Sequence, residues 1–564
     1  MVRPPELLYA VDESPPPAVL VVSAIQHVAV IAITLIFPLI IAREAGLSGG
    51  QFLDMVSLSM LAIGLATIFL CVRSRFVGCG YLVPASYTAI FMGPSLYALQ
   101  LGGLGLVFGM TIVAGLVQAA VAPVLHRLRA LLPSEIAGLV IAIVGLAIAS
   151  LGLRYSLGIT SGRGVQPVFL GVAGISLTTM VVLNVWTKGY AKMFCALIGI
   201  IVGYASSAAF GVLDLSAVMP KEGLSLLHVP DFGHIEYRFD ALVLAPFVVA
   251  ALASTLRTMG DVSNAQRLND KDWVRPDFRS IAGGVSGNGL AAMCCGLLGC
   301  LGPNSYSSSV GLSAATGITS RSVGYAVGGS FMVLAFVPGA AVLFAAMPSP
   351  VMGAALFFTS AFVFTAGIQM ITARMLDARK TLVIGFSFAM AAMADVYHDV
   401  FMTVPAVLQP IFGNSLVLGT VCAIVLNMIM RIGVSQRVVK EIASGAGSHG
   451  VAEQFLTEQG ARWAARRDVL NRAVFGVVQL LEVVGSLPGT IEIEASFDEF
   501  NLDVRVRYPG ALLVIPEKRP TPREIVASDE GERLLACYLL RRSADRISCR
   551  ELGDRAEVHL HYDH

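Results

Sequence analysis

The sequence predicts a polytopic membrane protein with about fourteen membrane-spanning segments, arranged as seven plus seven and followed by a soluble α+β domain. Of its 564 residues 55% are hydrophobic, and the mean hydropathy is +0.74. The charged side chains are unevenly placed, because 34 lie in the last 114 positions and only 43 in the preceding 450. We therefore divide the chain into an N-terminal segment 1–17, an all-α membrane domain 18–440 and a soluble domain 450–564.

Twelve apolar runs have the length of a spanning helix, which takes about 20 predominantly apolar residues. In chain order these runs are 18–42, 54–72, 103–125, 135–153, 166–186, 190–212, 240–260, 281–301, 322–346, 350–373, 380–397 and 413–432. Two shorter segments, 81–98 and 303–317, contain Pro and Ser and interrupt the series. The fourteen segments form two repeats, about 18–212 and 240–432. Because each repeat holds an odd number of spans, the second is expected to run inverted relative to the first.

The two short segments share a sequence motif. Residues 84–87 and 303–306 both read Pro-x-Ser-Tyr, at an offset of 219 residues. A second echo, Pro-Ser at 133–134 and at 348–349, has a similar offset of 215 residues. Interrupted segments at matching places in the two halves of a membrane protein are the best sequence indication of a binding site.

These segments predict two short extended pieces, each leading into a half-helix. Proline lacks a backbone N–H and disfavours helix at the preceding residue, and non-helical backbone within a membrane survives only where protein buries it or where it lines a cavity. The two half-helix N-termini would face each other near the midplane, where their free N–H groups bind carbonyl oxygens or an anion. Ser86, Thr88 and the serines at 307–309 add hydroxyl groups. The alternative is that these segments are polar loop tips at the surface, but the flanking apolar runs leave little room for two outside loops.

The distribution of basic residues predicts the orientation. With the N-terminus in the cytoplasm, cytoplasmic connections hold fourteen Lys and Arg residues, and outside connections hold five. This bias follows the positive-inside rule, and it places both termini, and with them the soluble domain, in the cytoplasm. We expect a multi-pass protein of the plasma membrane, which in a bacterium is the inner membrane.

Polar side chains inside the apolar runs are the next indication, because each is costly in a membrane unless it is used or paired. Gln26 and His27 interrupt the first run, where a hydrogen-bonded core histidine is an equal alternative to a functional one. Arg257, Thr258 and Asp261 follow at the end of the seventh run. Arg257 and Asp261 are four residues apart and share one helix face. Either they form a structural ion pair or Arg257 faces a ligand, and the sequence leaves both open.

These residues resemble the signatures of the nucleobase–ascorbate transporter family, also called xanthine/uracil permeases. Residues 26–27 resemble the Gln-His of the family's first helix, and residues 257–261 resemble its eighth-helix pattern Glu-x-x-Gly-[Asp/His]. Residues 308–321, with Ser-Ser-Val-Gly and then Thr-Gly and Ser-Arg, are similar to its tenth-segment signature. The resemblance covers roughly residues 15–435.

The resemblance implies a core domain and a gate domain that move against each other in an elevator-like way, within a homodimer. It also implies a small solute held between the two interrupted segments. Carried over to this chain, the contacts involve Tyr87, Arg257, Tyr306, Ser307 and Ser308. Residues in supporting or coupling roles are His27, Ser86, Thr258, Asp261, Asn304, Ser309 and Gly311. We expect a coupling ion, H⁺ or Na⁺, but no other cofactor, no bound metal, no nucleic acid and no enzymatic activity.

Two departures from the family pattern bear on the solute. Most members carry Glu where this chain has Arg257, and Gln or Glu where it has Ser308. A guanidinium stays protonated and only donates hydrogen bonds, so we predict an acceptor-rich or anionic solute of the urate or oxidised-purine kind. His27 and Asp261 remain the titratable candidates for coupling. Two alternatives stay open: an anion transporter of the sulfate-permease type, and a solute sensor that signals through the C-terminal domain.

The C-terminal domain has the pattern of a small α+β sandwich. A helical apolar spacing at 471–484 precedes two alternating segments, 491–497 and 502–507. A helix near 530–543 and a hairpin over 546–562 follow. This order resembles the ATP-binding domain of histidine kinases and anti-sigma factors. The Asp-x-Gly-x-Gly loop of those domains is replaced by Tyr-Pro-Gly, so we predict a degenerate domain that regulates or assembles the protein with a cytoplasmic partner.

Overall fold

The computed structural model describes residues 3–563, except 75, 125–133, 160–164, 214–226, 234, 272, 274–275, 373–375, 377, 402, 406–411, 414, 431–435, 444–447, 464, 485–488, 499–500, 514 and 517–528. The chain divides into two compact units. The first is made of residues 1–373 and 378–425, and the second of residues 374–377 and 426–564.

The first unit consists mainly of helices, with two strands of three residues each. Its elements are α1 Pro17–Ala32, α2 Ile36–Glu44, α3 Gly49–Cys71, β1 Ala85–Tyr87, α4 Met92–Val121, α5 Ser134–Leu157, α6 Pro167–Trp186, α7 Tyr190–Met193, α8 Cys195–Ala209, α9 Leu244–Asn269, α10 Phe278–Leu297, β2 Pro303–Ser305, α11 Ser307–Thr316, α12 Arg321–Ala335, α13 Pro338–Ala345, α14 Ser349–Thr372, α15 Ala378–Val396, α16 His398–Phe401 and α17 Ser415–Met430. Turns of 3₁₀ helix at Ile33–Leu35, Ala89–Phe91 and Ala241–Val243 lead directly into α2, α4 and α9.

Several of these helices have the length and composition of membrane spans. Among the described residues, seven helical stretches are long and apolar enough to cross a bilayer, and the pair α12 and α13, bent by 85°, adds an eighth if it counts as one span. The shorter helices α8 and α17 are also apolar. These helices confirm the prediction of a multi-pass membrane protein. The count of fourteen segments and their inverted arrangement stay predictions.

The first interrupted segment differs from the prediction on its C-terminal side. We expected separate segments at 81–98 and 103–125, but helix α4 continues from one into the other with a break at Gly103. The φ of Gly103 is 72° and its ψ is −167°, a combination that glycine adopts readily and that strains other residues. A glycine within α4 therefore takes the place of the connection that we expected between the two segments.

Helices α5 and α14 approach so closely that glycine occupies their contact. A Cβ atom on Gly138 would lie 2.6 Å from the carbonyl oxygen of Gly367, and one on Gly353 would lie 2.7 Å from that of Gly152. Small residues let helix backbones come together in membrane proteins, where van der Waals packing drives helix association. The pair α5 and α14 is thus a tightly packed seam.

The repeated Pro-Ser motif lies at the beginning of α5 and of α14. Helix α5 begins at Ser134 and α14 at Ser349, while Pro133 lies outside the described residues. The glycine four positions after each serine, Gly138 or Gly353, lies in the seam. Each of the two helices therefore carries a contact glycine at the same distance from its beginning.

We expect Gly367→Ala to destabilise the protein, since the added Cβ would lie 2.5 Å from the backbone nitrogen of Ala142. Overpacking of a tight contact costs about 1–3 kcal/mol, so the melting temperature of the purified protein in detergent should fall. Gly171→Ala in α6 is the matched control, because nothing lies within 4 Å of its added atom and alanine favours a helix. Equal melting temperatures of the two variants would contradict a close-packed seam.

The second unit is a five-stranded antiparallel sheet with helices packed on one face. Its elements are β3 Gln436–Ala443, α18 Ser448–Arg462, α19 Arg467–Val484, β4 Thr490–Phe497, β5 Asn501–Pro509, α20 Asp529–Ser543, β6 Arg546–Leu552 and β7 Arg555–Asp563. The strand order is β3-β4-β5-β7-β6. Alternate strand residues such as Ile493 and Val504 share an apolar core with Val477 and Leu480 of α19, as the period of a strand requires.

This unit has two elements more than the sequence predicted. We expected a helix, two strands, a helix and two strands, and the structure adds strand β3 and helix α18 before them. Strand β3 reads Gln-Arg-Val-Val-Lys-Glu-Ile-Ala, in which two adjacent valines hide the alternation that identifies a half-buried strand. The sheet consequently begins at Gln436, earlier than the expected start of the soluble domain at 450.

Glu494 is a carboxylate buried among arginines on the sheet face opposite the helices. Its two neighbours along β4 belong to the apolar core, so its own side chain points to the other face, where it is 2% exposed. Arg437, Arg505 and Arg507 approach its oxygens at 2.5, 3.2 and 2.9 Å. Three strands, β3, β4 and β5, are therefore joined through one carboxylate.

We expect Glu494→Gln to destabilise the second unit, because three guanidinium groups would lose their shared counter-charge. Breaking a buried ion pair costs about 3–5 kcal/mol, and the partial exposure of these arginines reduces the expected loss to about 1–3 kcal/mol. Hydrogen exchange of β4 and β5 amides in the full-length protein measures the change. Asp468→Asn, which removes an exposed pair with Arg466, is the control and should leave exchange unchanged. Unaltered protection in Glu494→Gln would show that the cluster contributes nothing.

Candidate solute site at the paired strands

The two Pro-x-Ser-Tyr segments lie side by side. Strands β1 and β2 pair antiparallel, with Ser86 opposite Asn304, and both residues are buried. The Tyr306 N–H extends the ladder by donating to the Pro84 carbonyl oxygen at 3.0 Å. Two segments that are 219 residues apart in the chain thus meet as one small sheet, which confirms the predicted pair of extended pieces.

The first copy is engaged within the protein. The N–H groups of Ala85 and Tyr87 donate to the hydroxyl oxygens of Thr67 and Thr34, each at 3.2 Å. The Tyr87 side chain is buried, and its hydroxyl donates to the Ser59 carbonyl oxygen at 2.8 Å. The resemblance implied a solute contact for Tyr87, but in this conformation its hydroxyl is already bonded and closed to a solute.

The second copy is held by helix α9. Thr258 Oγ1 donates to Asn304 Oδ1 at 2.8 Å, and the Ser305 N–H donates to the same oxygen at 2.8 Å. The carboxylate of Asp261, about one turn further along α9, accepts from Ser305 Oγ at 2.6 Å and from Ser307 Oγ at 2.5 Å. Two side chains of α9 therefore fix both β2 and the first residue of α11.

Helix α11 begins with open backbone donors. Its N-cap, Tyr306, makes no capping hydrogen bond with its side chain, and the N–H groups of Ser307 and Ser308 find no acceptor among the described residues. The first N–H groups of a helix and the positive end of its dipole attract carbonyl oxygens and anions. Ser308 and Gly311 are also exposed on the surface of α11. This helix end therefore offers hydrogen-bond donors to a solute.

Arg257 lies near this helix end and is half-buried. Its positive charge acts on the Asp261 carboxylate and on Tyr306. Within the part of the chain that the structure describes, however, Arg257 forms no ion pair with Asp261, whose two oxygens accept from serine hydroxyls instead. Of the two interpretations that the sequence left open, the structural ion pair is therefore absent in this conformation.

Helix α1 contributes to the same region. His27 Nδ1 is hydrogen-bonded to Ser309 Oγ, and both residues are buried. Gln26, the next residue back, lines a cavity of about 1010 Å³ together with Ser308 and Gly311. The other predicted solute contacts do not line this cavity. Most of its lining residues belong to α1 and α11, and none belongs to α9.

A buried polar cluster behind the site was not among the predicted site residues. Asn288 Nδ2 donates to Gln118 Oε1 at 3.1 Å and to Ser254 Oγ at 3.0 Å. The hydroxyl of Thr258 lies 3.0 Å from the Ser254 carbonyl oxygen, so the cluster continues the polar contacts of the site into the core between α4, α9 and α10. The signal was available in the sequence, since each of these residues is a polar interruption of an apolar run.

The apolar spans, the paired interrupted segments and the open helix end between them define a multi-pass membrane transporter. The model of the xanthine/uracil permease family, described as "Permease family", matches residues 18–400, and the chain belongs to this family. Membership makes the protein a transporter and not an enzyme.

Three curated relatives show how similar the chain is to other permeases. The uric acid transporter UacT of Escherichia coli strain K12 is 27% identical, over 74% of this chain and 87% of its own. The xanthine permease XanP of the same strain is 24% identical over 75% and 94%, and the uric acid permease PucK of Bacillus subtilis strain 168 is 26% identical over 72% and 94%. Among solved structures, SLC26A9 matches with a TM-score of 0.49 and 14% identity, over 75% of this chain and 67% of its own; so distant a likeness carries no argument about the solute.

We expect Thr258→Val to lower the stability of the protein by about 1–2 kcal/mol, because it removes a donor to a buried amide oxygen. Thr255→Val is the matched control. It is the same change on the same helix. Among the described residues, the hydroxyl of buried Thr255 bonds within α9, to the Ala251 carbonyl oxygen at 2.8 Å. Melting temperatures in detergent measure the difference. If both variants melt alike, the bond from Thr258 to Asn304 does not hold the second copy in place.

Proposed function

We propose that the protein is a secondary-active transporter of a nucleobase-like solute, with an anionic or acceptor-rich member of the xanthine and urate class as its substrate. Two sources support the class of solute. The first is the family, whose relatives include proteins named for xanthine and for uric acid. The second is the chemistry of the open helix end. The observation that carries the proposal is the guanidinium of Arg257, which lies close to that helix end and forms no ion pair with any residue that the structure describes.

An unpaired guanidinium within a membrane domain favours an anionic partner. A buried or half-buried charge is costly unless it is paired, and Arg257 forms no ion pair with Asp261. A solute with a delocalised negative charge and adjacent carbonyl oxygens would supply the missing partner, since a guanidinium donates in a planar fork. Arg257 is therefore assigned to the acidic edge of the solute.

The remaining groups at the site are also donors. The N–H groups of Ser307 and Ser308 lie at the positive end of α11, and Ser308 lines the cavity. Oxidised purines carry carbonyl oxygens at several ring positions, and urate adds a negative charge. Most family members have an acidic side chain where this chain has arginine. This chain thus has hydrogen-bond donors where most family members have an acceptor, which suits a solute with more acceptor atoms than a neutral nucleobase.

Two buried titratable groups are the proposed coupling groups. His27 is hydrogen-bonded to Ser309 on α11, and Asp261 binds Ser305 and Ser307 on β2 and α11. A change of protonation at either group alters the hydrogen bonds that hold the second copy. We assign coupling by H⁺ to this pair, with Na⁺ as the alternative ion.

For the movement, we propose the elevator type within a homodimer, with both termini in the cytoplasm and the second unit as a degenerate regulatory domain. Support for the movement comes from the pairing of β1 with β2 and from the hydrogen bonds that join β2 to α9, which let these elements move together. An anion carrier of the sulfate-permease type is the second candidate, favoured by Arg257. A solute sensor that signals through the second unit is a third outcome of the binding test.

The test is a binding screen on purified protein with urate, xanthine, uracil, sulfate and a dicarboxylate. We expect wild-type protein to bind urate or xanthine, and Arg257→Gln to bind the anionic solute about 10–100-fold more weakly, the loss of one charge-assisted contact. Arg257→Lys should fall between the two, because an ammonium lacks the planar fork. Arg267→Gln, an exposed arginine on the same helix, should bind as wild type.

Three results decide against the proposal. Binding of sulfate or the dicarboxylate without any nucleobase would support the anion carrier. Solute binding without uptake into proteoliposomes would support the sensor. Loss of the fold in Arg257→Gln, seen as a large fall in melting temperature without solute, would make Arg257 a structural residue.

A further inference from the structure

The chain segment before α1, residues 3–16, lies against the connection that follows α11, and we call this segment the strap. Tyr9 forms a parallel β-bridge with Ile318. The N–H groups of Leu8 and Tyr9 both donate to the Gly317 carbonyl oxygen, at 2.8 and 3.2 Å. Gly317 ends α11 in the left-handed region, with φ of 67°, which turns its carbonyl toward the strap. The strap thus binds the C-terminal end of the helix whose N-terminal end forms the solute site.

Bonds also run in the opposite direction. The Thr319 N–H donates to the Tyr9 carbonyl oxygen at 2.9 Å, and the Arg321 N–H donates to that of Val11 at 3.1 Å. The Arg321 guanidinium forms an ion pair with Asp12. The strap and the connection therefore form a short ladder, closed by a charge pair at the beginning of α12.

The strap also enters the apolar packing beneath the site. Val11 is buried in one cluster with Val262 of α9 and Val310 of α11. Tyr81 and Val83, which lead into β1, belong to the same cluster. Val262 directly follows Asp261, and Val310 directly follows Ser309, so a strap side chain packs against the residues next to two predicted coupling contacts.

The strap finally borders the cavity. Leu8 lines the cavity of about 1010 Å³ together with Ser308, Gly311 and Thr316. These three residues lie along α11 from its first turn to its last. One residue of the strap thus lines the same cavity as the exposed face of α11.

We propose that the strap is a positioning element of the transporter. It clamps the C-terminal end of α11 to α12 and so sets where the open donors at Ser307 and Ser308 stand. The second half of the family-like signature then serves to bind the strap, through Gly317, Ser320 and Arg321. The strap remains docked throughout transport. This inference rests on the proposed function for the solute, but the first measurement of its test, hydrogen exchange, requires no solute.

The first test compares Leu8→Pro/Tyr9→Pro with Leu8→Ala/Tyr9→Ala in the full-length protein. The proline pair removes both N–H donors to Gly317, because proline has none, and the alanine pair keeps them. Without solute, hydrogen exchange of the α11 amides should become at least about tenfold faster in the proline pair than in the alanine pair, with α14 unchanged. The dissociation constant for urate should rise about tenfold, equivalent to 1.4 kcal/mol.

Each outcome of this comparison supports or overturns the proposed role of the strap. Equal exchange of α11 in both variants overturns the strap whatever the solute is. A general loss of protection that includes α14, with an unchanged urate dissociation constant in the remaining folded protein, makes the strap an ordinary stabilising contact. Faster exchange of α11 without any nucleobase binding in wild-type protein leaves the strap standing and rejects the urate-class substrate.

A second variant tests whether the strap stays docked. Tyr9→Cys/Ile318→Cys places two thiols across the β-bridge, with each single variant as its control. We expect uptake in proteoliposomes to be the same after oxidation and after reduction. Uptake that is lost on oxidation and restored by reductant would show that the strap must leave during transport, which overturns the docked strap.

Discussion

The carboxylate of Asp261 is the interaction on which the candidate site depends. One of its oxygens accepts from Ser305 on β2 and the other from Ser307 on α11, so a single side chain of α9 holds both parts of the second interrupted segment. A carboxylate at this depth is costly without donors, and the two serines meet that need. Because the carboxylate accepts from serine hydroxyls, Arg257 forms no ion pair with it in the described part of the chain. The positive charge of the site is therefore that of the Arg257 guanidinium, which the Asp261 carboxylate does not pair with.

The two copies of the repeated motif have different roles although their sequences match. The first is hydrogen-bonded within the protein, through the Tyr87 hydroxyl and through the N–H groups that donate to Thr67 and Thr34. The second continues directly into a helix whose first N–H groups are open. The difference arises one residue beyond the shared letters. The first copy passes through a 3₁₀ turn before α4, whereas the second enters α11 at Ser307.

The sequence predicted the class of fold and most residues near the site, because apolar length, proline and misplaced polar residues are local signals. The two extended pieces were predicted from the offset between the two copies, but their pairing as β1 and β2 in one sheet was not. Three features could not be predicted in this way. The bonded state of Tyr87 depends on Ser59 of another helix, the bend at Gly103 depends on a single φ, and the docking of Tyr9 depends on the connection near Ile318. The first and the third are set by partners distant in the chain, and the second is a local backbone conformation that the residue type alone does not predict.

The small sheet also has two edges, and a sheet edge inside a membrane has no water to bond to. On the β1 edge, Thr34 and Thr67 take the place of a third strand. On the β2 edge, Asn304 accepts the Ser305 N–H, and Pro303 has no N–H to satisfy. Each further N–H group that faces outward, one for every second residue of a strand, would require another such acceptor from a neighbouring helix. The few hydroxyl and amide acceptors around the sheet are thus consistent with strands of only three residues. The proline of the repeated motif contributes because it has no N–H group that needs an acceptor.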